Sequence, residues 1–166
     1  MSGLERFNTL DQIRMAEAVF QALHRRIGKR KKMKGREGGY LCITDLYGLP
    51  ILITAIGVMP KELRQRFFNN AREKAARLAL LAQFAGHVLS RESRNETLEH
   101  WIGAVLGRTI IISFSGLPED ADECYTVLLS VASGELPART AHRLLRKNSY
   151  YKDVRSLIDG FRPRKR

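Results

Sequence analysis

The chain has few of the residues that mark a specialised protein. Its two cysteines, Cys42 and Cys124, stand in no Cys-x-x-Cys spacing, which removes a disulfide framework and gives no zinc or redox signal. Each sits in an apolar-patterned segment and is expected as a buried free thiol. No run reaches the roughly 20 uncharged apolar residues of a bilayer span. The opening stretch, Met1 to Phe20, interleaves Glu5, Arg6, Asp11 and Arg14 with apolar positions, unlike a secretory signal. No membrane association and a cytoplasmic location are expected. The four histidines, His24, His87, His100 and His142, form no i, i+4 pair, so a metal site has no pattern behind it. Gly35 to Gly39 lacks the strand-before, helix-after setting of a phosphate loop, and no Gly-x-Ser-x-Gly elbow occurs. Ser113 and Ser115 have no histidine spaced to activate them. With no catalytic constellation, a non-enzymatic protein is expected.

Acidic residues are scarce too: 17 Asp and Glu stand against 29 Lys and Arg, a formal net charge of +12. Such a surface favours anionic partners, whether nucleic acid, an acidic protein or a phosphate-bearing ligand, and equally serves solubility alone. The 166 residues, 44% of them apolar, suffice for one hydrophobic core. One α/β domain over residues 1–134 is expected, with a basic loop at 28–39 and a basic, partly helical extension at 135–166.

Periodicity supplies the elements. Ile13, Ala16, Val19, Phe20 and Leu23 share one helical face, predicting a helix over 10–27 capped by Thr9 or Asp11. Gly28 opens a basic stretch without apolar period, read as an exposed, mobile loop that ends at Gly38-Gly39. Tyr40 to Thr44 and Ile51 to Val58 read as a hairpin around Asp45 and Gly48. A long helix is predicted over 60–89, with Pro60 in its first turn and a stripe through Phe67, Ala71, Lys74, Leu78 and Ala82. The polar interval 90–99 reads as a loop or a short exposed helix. A second hairpin follows, Trp101 to Leu106 and Thr109 to Phe114, its Ile110-Ile111-Ile112 suiting a strand buried on both faces. A helix through Cys124, Val127, Leu128 and Val131 and one or two short basic helices complete the chain. The fold class expected is α+β: an antiparallel sheet of two hairpins between helices.

Three segments carry a family resemblance. Asp45-Leu46-Tyr47-Gly48 matches an Asp-x-x-Gly hairpin turn, and Ala71-Arg72-Glu73-Lys74-Ala75 an Ala-x-x-Lys-Ala helix motif. Ile112-Ser113-Phe114-Ser115-Gly116 followed by Asp122-Glu123 matches an apolar strand ending in Ser-Gly and then Asp-Glu. In order and spacing these resemble the GlcG/HbpS-like family, described as haem-binding or haem-degrading and profilin-like in fold. The resemblance implies an α/β/α sandwich, a homo-oligomer, and haem or another anionic cofactor held between the sheet and the long helix near Lys74.

Candidate residues follow from both lines. Lys74 either meets an anionic group or snorkels to water over a packed stem. His24 and His87, each at a helix end, can supply an axial haem ligand or complement a helix dipole. Asp122 and Glu123, neighbours on a helix, point apart and suit dipole complementation better than acid/base work. Arg25, Arg26, Lys29, Arg30, Lys31, Lys32, Lys34 and Arg36 form a dense cationic segment able to bind a phosphate backbone without sequence preference, and Arg164, Lys165 and Arg166 offer a second patch. No aromatic residue is interleaved in the loop, so base stacking there is not expected.

Overall fold

A computed structural model describes residues 8–161. Helix α1 (Thr9–Ile27) buries Ala16, Val19, Phe20, Leu23 and Ile27 along one stripe. Its N-cap is Asn8, not Thr9 or Asp11: the Asn8 Oδ1 accepts from the backbone N–H of Leu10 at 3.1 Å, while the other two residues lie inside the first turn.

Strands β1 (Gly38–Asp45) and β2 (Pro50–Gly57) form the first hairpin. Its turn is built by Asp45, whose Oδ1 accepts from the N–H groups of Tyr47 and Leu49, and by Gly48 at φ 86°. Helix α2 is shorter than the periodicity predicts. It runs Arg64–Ala85 after a 3-10 turn at Lys61–Leu63, because Gly86 takes a left-handed conformation and returns its N–H to Leu81.

The second hairpin pairs β3 (Ala104–Leu106) with β4 (Ile110–Ser115), and the single antiparallel sheet has the order β2-β1-β4-β3. Period-two alternation sorts its side chains. Leu41, Ile43, Val105, Ile112 and Phe114 join the main core with α1 and α3 (Glu119–Ala132), whereas Cys42, Ala104 and Ile111 pack on Ala71, Ala75 and Leu78 of α2. The result is an α/β/α sandwich with β4 buried along its whole length. No helix among the described residues is long and apolar enough to cross a membrane.

Beyond Gly134 lie α4 (Ala138–Leu145) and α5 (Tyr151–Gly160). Their Ala141, Leu145, Val154 and Ile158 are buried in the same cluster as α1 and α3, so this basic segment is packed against the domain as far as residue 161.

The basic loop is anchored rather than featureless. Lys31–Met33 forms a 3-10 turn, and Met33, 1% exposed, inserts into the main core beside Ile27. Gly38 and Gly39 belong to β1, where a Cβ on Gly39 would fall 2.1 Å from the Ser115 carbonyl oxygen. The missed anchor has a physical reason: one apolar residue among cations has no period, yet it supplies enough buried surface to fix a turn. Met33→Ala is expected to cost about 2 kcal/mol or slightly more and to speed amide exchange selectively over residues 30–37. Unchanged exchange there would remove the anchor's role.

Candidate functional site

The end of α1 and its exit loop set out the cationic segment. Arg25, Arg26, Lys29, Arg30, Lys31, Lys32, Lys34 and Arg36 are all exposed, while Met33 between them is buried. Arg30 reaches across to α5, where its guanidinium bonds the Asp153 carboxylate at 2.6 Å. With Arg30 59% exposed, this ion pair adds little stability; it marks where the loop, fixed by Met33, lies beside α5. Among the described residues no other cation of the segment is paired with a carboxylate. The contact also brings the segment to the corner between α4 and α5, where Arg146, Lys147 and Lys152 are exposed. Sequence reading did not single out those three, since the Arg30–Asp153 contact that joins their corner to the loop spans 123 positions. Arg164, Lys165 and Arg166 lie outside the described residues.

Lys74 does not snorkel to water. At 1% exposure, its Nζ donates to the Phe114 carbonyl at 2.8 Å and to the Asp122 Oδ2 at 2.9 Å. This pair passes the end of β4 and ties α2 on one layer to α3 on the other. Asp122 also caps the turn before α3, its Oδ1 accepting from the Leu117 N–H at 2.9 Å. Burial pushes the Asp122 carboxyl up to about 6, against the opposing pull of the Lys74 ammonium and the N–H groups of Leu117 and Gly116. Gly103, at φ 124°, gives the pair room: a Cβ there would lie 2.7 Å from Asp122 Cβ and 3.0 Å from Lys74 Nζ. Two of the ammonium's three donors are thus used inside the protein, and the functional and the solvated readings of Lys74 both yield to a buried structural pair.

Glu123, fully buried, is likewise no dipole ornament. It takes the Arg91 guanidinium and the Asn148 amide, while Asp120 beside it binds Arg91 and the Ser149 hydroxyl. Burial opposes ionisation of Asp120, but the Ser149 and Arg91 bonds outweigh it and hold that carboxyl below its ordinary value. The polar interval 90–99 is therefore the clamp of the fold. Arg77 of α2 holds the Ser90 and Trp101 carbonyls, Arg91 holds α3, and Arg94 holds Glu119. Ser90, with no exposure, accepts from the N–H groups of Gly103 and Ala104. Trp101 and Ile102 are held by this network instead of extending β3, which shortens the predicted strand.

The two histidines do not converge on Lys74. His24 lies on the opposite face of the sheet from α2, its ring stacked on Phe20 at 6.0 Å. His87 follows the C-terminal end of α2, whose last residue lies roughly 16 Å along the helix axis from Lys74. Its Nδ1 has no hydrogen-bond partner among the described residues. A shallow cleft of about 320 Å³ opens between α2 and the first hairpin turn, lined by Cys42, Thr44, Asn69, Arg72 and Glu73 among others. None of Lys74, His24 and His87 lines it. Burial pushes the Cys42 thiol there up to about 11, which keeps it protonated at neutral pH.

Compared with known proteins, the chain matches no protein-family model, no curated protein and no solved structure. In this fold Asp45 and Gly48 make a turn, Ala71 and Ala75 allow close approach of α2 to the sheet, and Lys74 and Asp122 make the interlayer pair.

Proposed function

We propose that this chain is a nucleic-acid-binding protein that grips the phosphate backbone, without sequence preference, through residues 25–36 and the adjoining α4–α5 corner. The observation that carries the reading is the anchored basic segment: Met33 in the core, with Arg30 on Asp153, holds a run of exposed cations against the domain instead of leaving them on a free loop. Preorganised cations lose less conformational entropy on meeting phosphates, and each phosphate neutralised releases counterions. The absence of aromatic residues in the segment favours backbone contact over base stacking. Two buried free thiols suit the reducing cytoplasm. We take the binding unit to be a homo-oligomer, which presents several basic segments to one strand.

The haem reading has less behind it, because Lys74 is spent on Asp122 and neither histidine faces the cleft. A salt titration of binding to a labelled random-sequence oligonucleotide, with haem added to a parallel sample, tests the choice. Engagement of about five phosphates gives a log–log slope of roughly −3.5 on single strands, with no Soret shift in the haem sample. Salt-independent binding, or a Soret shift without oligonucleotide binding, would overturn the proposal.

A further inference from the structure

The two edges of the sheet are treated differently. The outer edge of β3 is covered: the Leu106 N–H donates to the Val88 carbonyl, and Leu89 bridges Val105. The outer edge of β2 has no strand beside it among the described residues. β2 is eight residues long, Pro50-Ile-Leu-Ile-Thr-Ala-Ile-Gly57, without a charge in a chain of net charge +12. Edge strands of this length and composition normally carry a lysine, an interior proline or a covering segment, because a bare ladder of donors and acceptors invites another strand.

The direction of that ladder follows from the pairing. The Val58 N–H donates to the Glu37 carbonyl, one step beyond the Gly38↔Gly57 pair. By antiparallel alternation, Leu52, Thr54 and Ile56 spend their backbone groups on β1, whereas Ile53, Ala55 and Gly57 turn theirs outward. We infer that this edge is the contact through which two copies of the chain pair, β2 against β2 antiparallel, joining two four-stranded sheets into one of eight. A two-fold axis at Thr54 sets Ile53 opposite the partner's Ala55 and Gly57 opposite the partner's Ile51. Pro50 then faces the partner's Val58. Leu49 and Val58, 67% and 72% exposed, bracket the strand, so each apolar end meets the other end of its copy.

This self-complementarity is why the occupant is a second copy. One edge supplies every donor and acceptor that the same edge needs, and the uncharged strand lets two strongly basic molecules meet without facing like charges. α2 lies over β1, β4 and β3 and leaves Ile53 half-buried and Ala55 exposed on its side of the sheet, so contact there extends beyond the strand itself. The mutual repulsion of two cationic chains makes this pairing stronger as salt rises, opposite to the trend for oligonucleotide binding. The pairing is independent of the nucleic-acid reading and is tested without nucleic acid.

Sedimentation equilibrium of the whole chain over a salt series should give a mass twice the 18.9 kDa of one chain, with the dimer fraction rising with salt. Ala55→Pro removes an outward N–H without touching the bonds to β1, and Ala55→Lys places a charge at an exposed position of the edge. Both should halve the mass while keeping the wild-type circular dichroism spectrum. If the proline variant fails to fold, the lysine variant decides. A wild-type monomer at all salt concentrations, or a folded Ala55→Lys variant that remains a dimer, would overturn the inference.

Discussion

Replacing Lys74 with methionine is expected to cost about 3–5 kcal/mol of stability at neutral pH, although the new side chain fills nearly the same volume. The loss comes from Asp122, left as a buried carboxylate with only backbone N–H partners. Its folded pKa, already raised to about 6 from 3.8, then rises further. A carboxyl whose folded pKa lies above its unfolded value contributes stability below 3.8 and loses it as pH rises through the folded value. The deficit of Lys74→Met should therefore be larger at about pH 8 than at about pH 5, where the folded chain accepts the proton. The double variant Lys74→Met with Asp122→Asn removes both charges and retains an acceptor for the Leu117 N–H, so it should recover most of the loss. Urea unfolding at the two pH values checks each statement. A lysine that merely snorkels would make the single variant neutral and pH-independent.

Neutralising Lys29, Lys31, Lys32 and Lys34 together to glutamine is expected to weaken oligonucleotide binding on the order of 100-fold at moderate salt and to flatten the salt slope by about 3. These side chains are exposed and unpaired with carboxylates among the described residues, so the thermal midpoint should stay within a degree or two of wild type, as surface substitutions usually do. Neutralising Arg64 and Arg66 at the start of α2, in the opposite layer, removes half as much charge from outside the segment and should change affinity only a few-fold. Equal losses in the two variants would mean that net charge, rather than an anchored segment, attracts the ligand.

The sheet, its two hairpins and the helices around it were legible because they rest on local signals: short runs of strand-forming residues bounded by turn residues, as in Tyr40 to Thr44, and period 3.6 in Ala16 to Leu23. The segment 86–103 was not, because it has no apolar period. It is held by Arg77, Arg91 and Arg94, whose partners Trp101, Glu123 and Glu119 lie 24, 32 and 25 positions away. Lys74 and Asp122 each stood out as motif residues, yet no spacing rule places residue 74 against residue 122 across a sheet. The basic segment shows the complementary case. Its cations were evident from composition alone, whereas the neighbours that extend its surface, Arg146, Lys147 and Lys152, become part of one patch only when Arg30 meets Asp153. The Gly86 stop of α2 is readable in principle, as a glycine closing an apolar stripe, but the apolar Val88 and Leu89 beyond it carry the predicted helix past the glycine.

The most direct measurement is a map of backbone amide shifts during titration with the random-sequence oligonucleotide at low salt. Perturbations concentrated at residues 25–36 and 146–153 are expected, and they should reverse when salt is added. Perturbations centred on the cleft beside Arg72 or around His87, with the basic segment silent, would contradict the proposed role of the anchored loop.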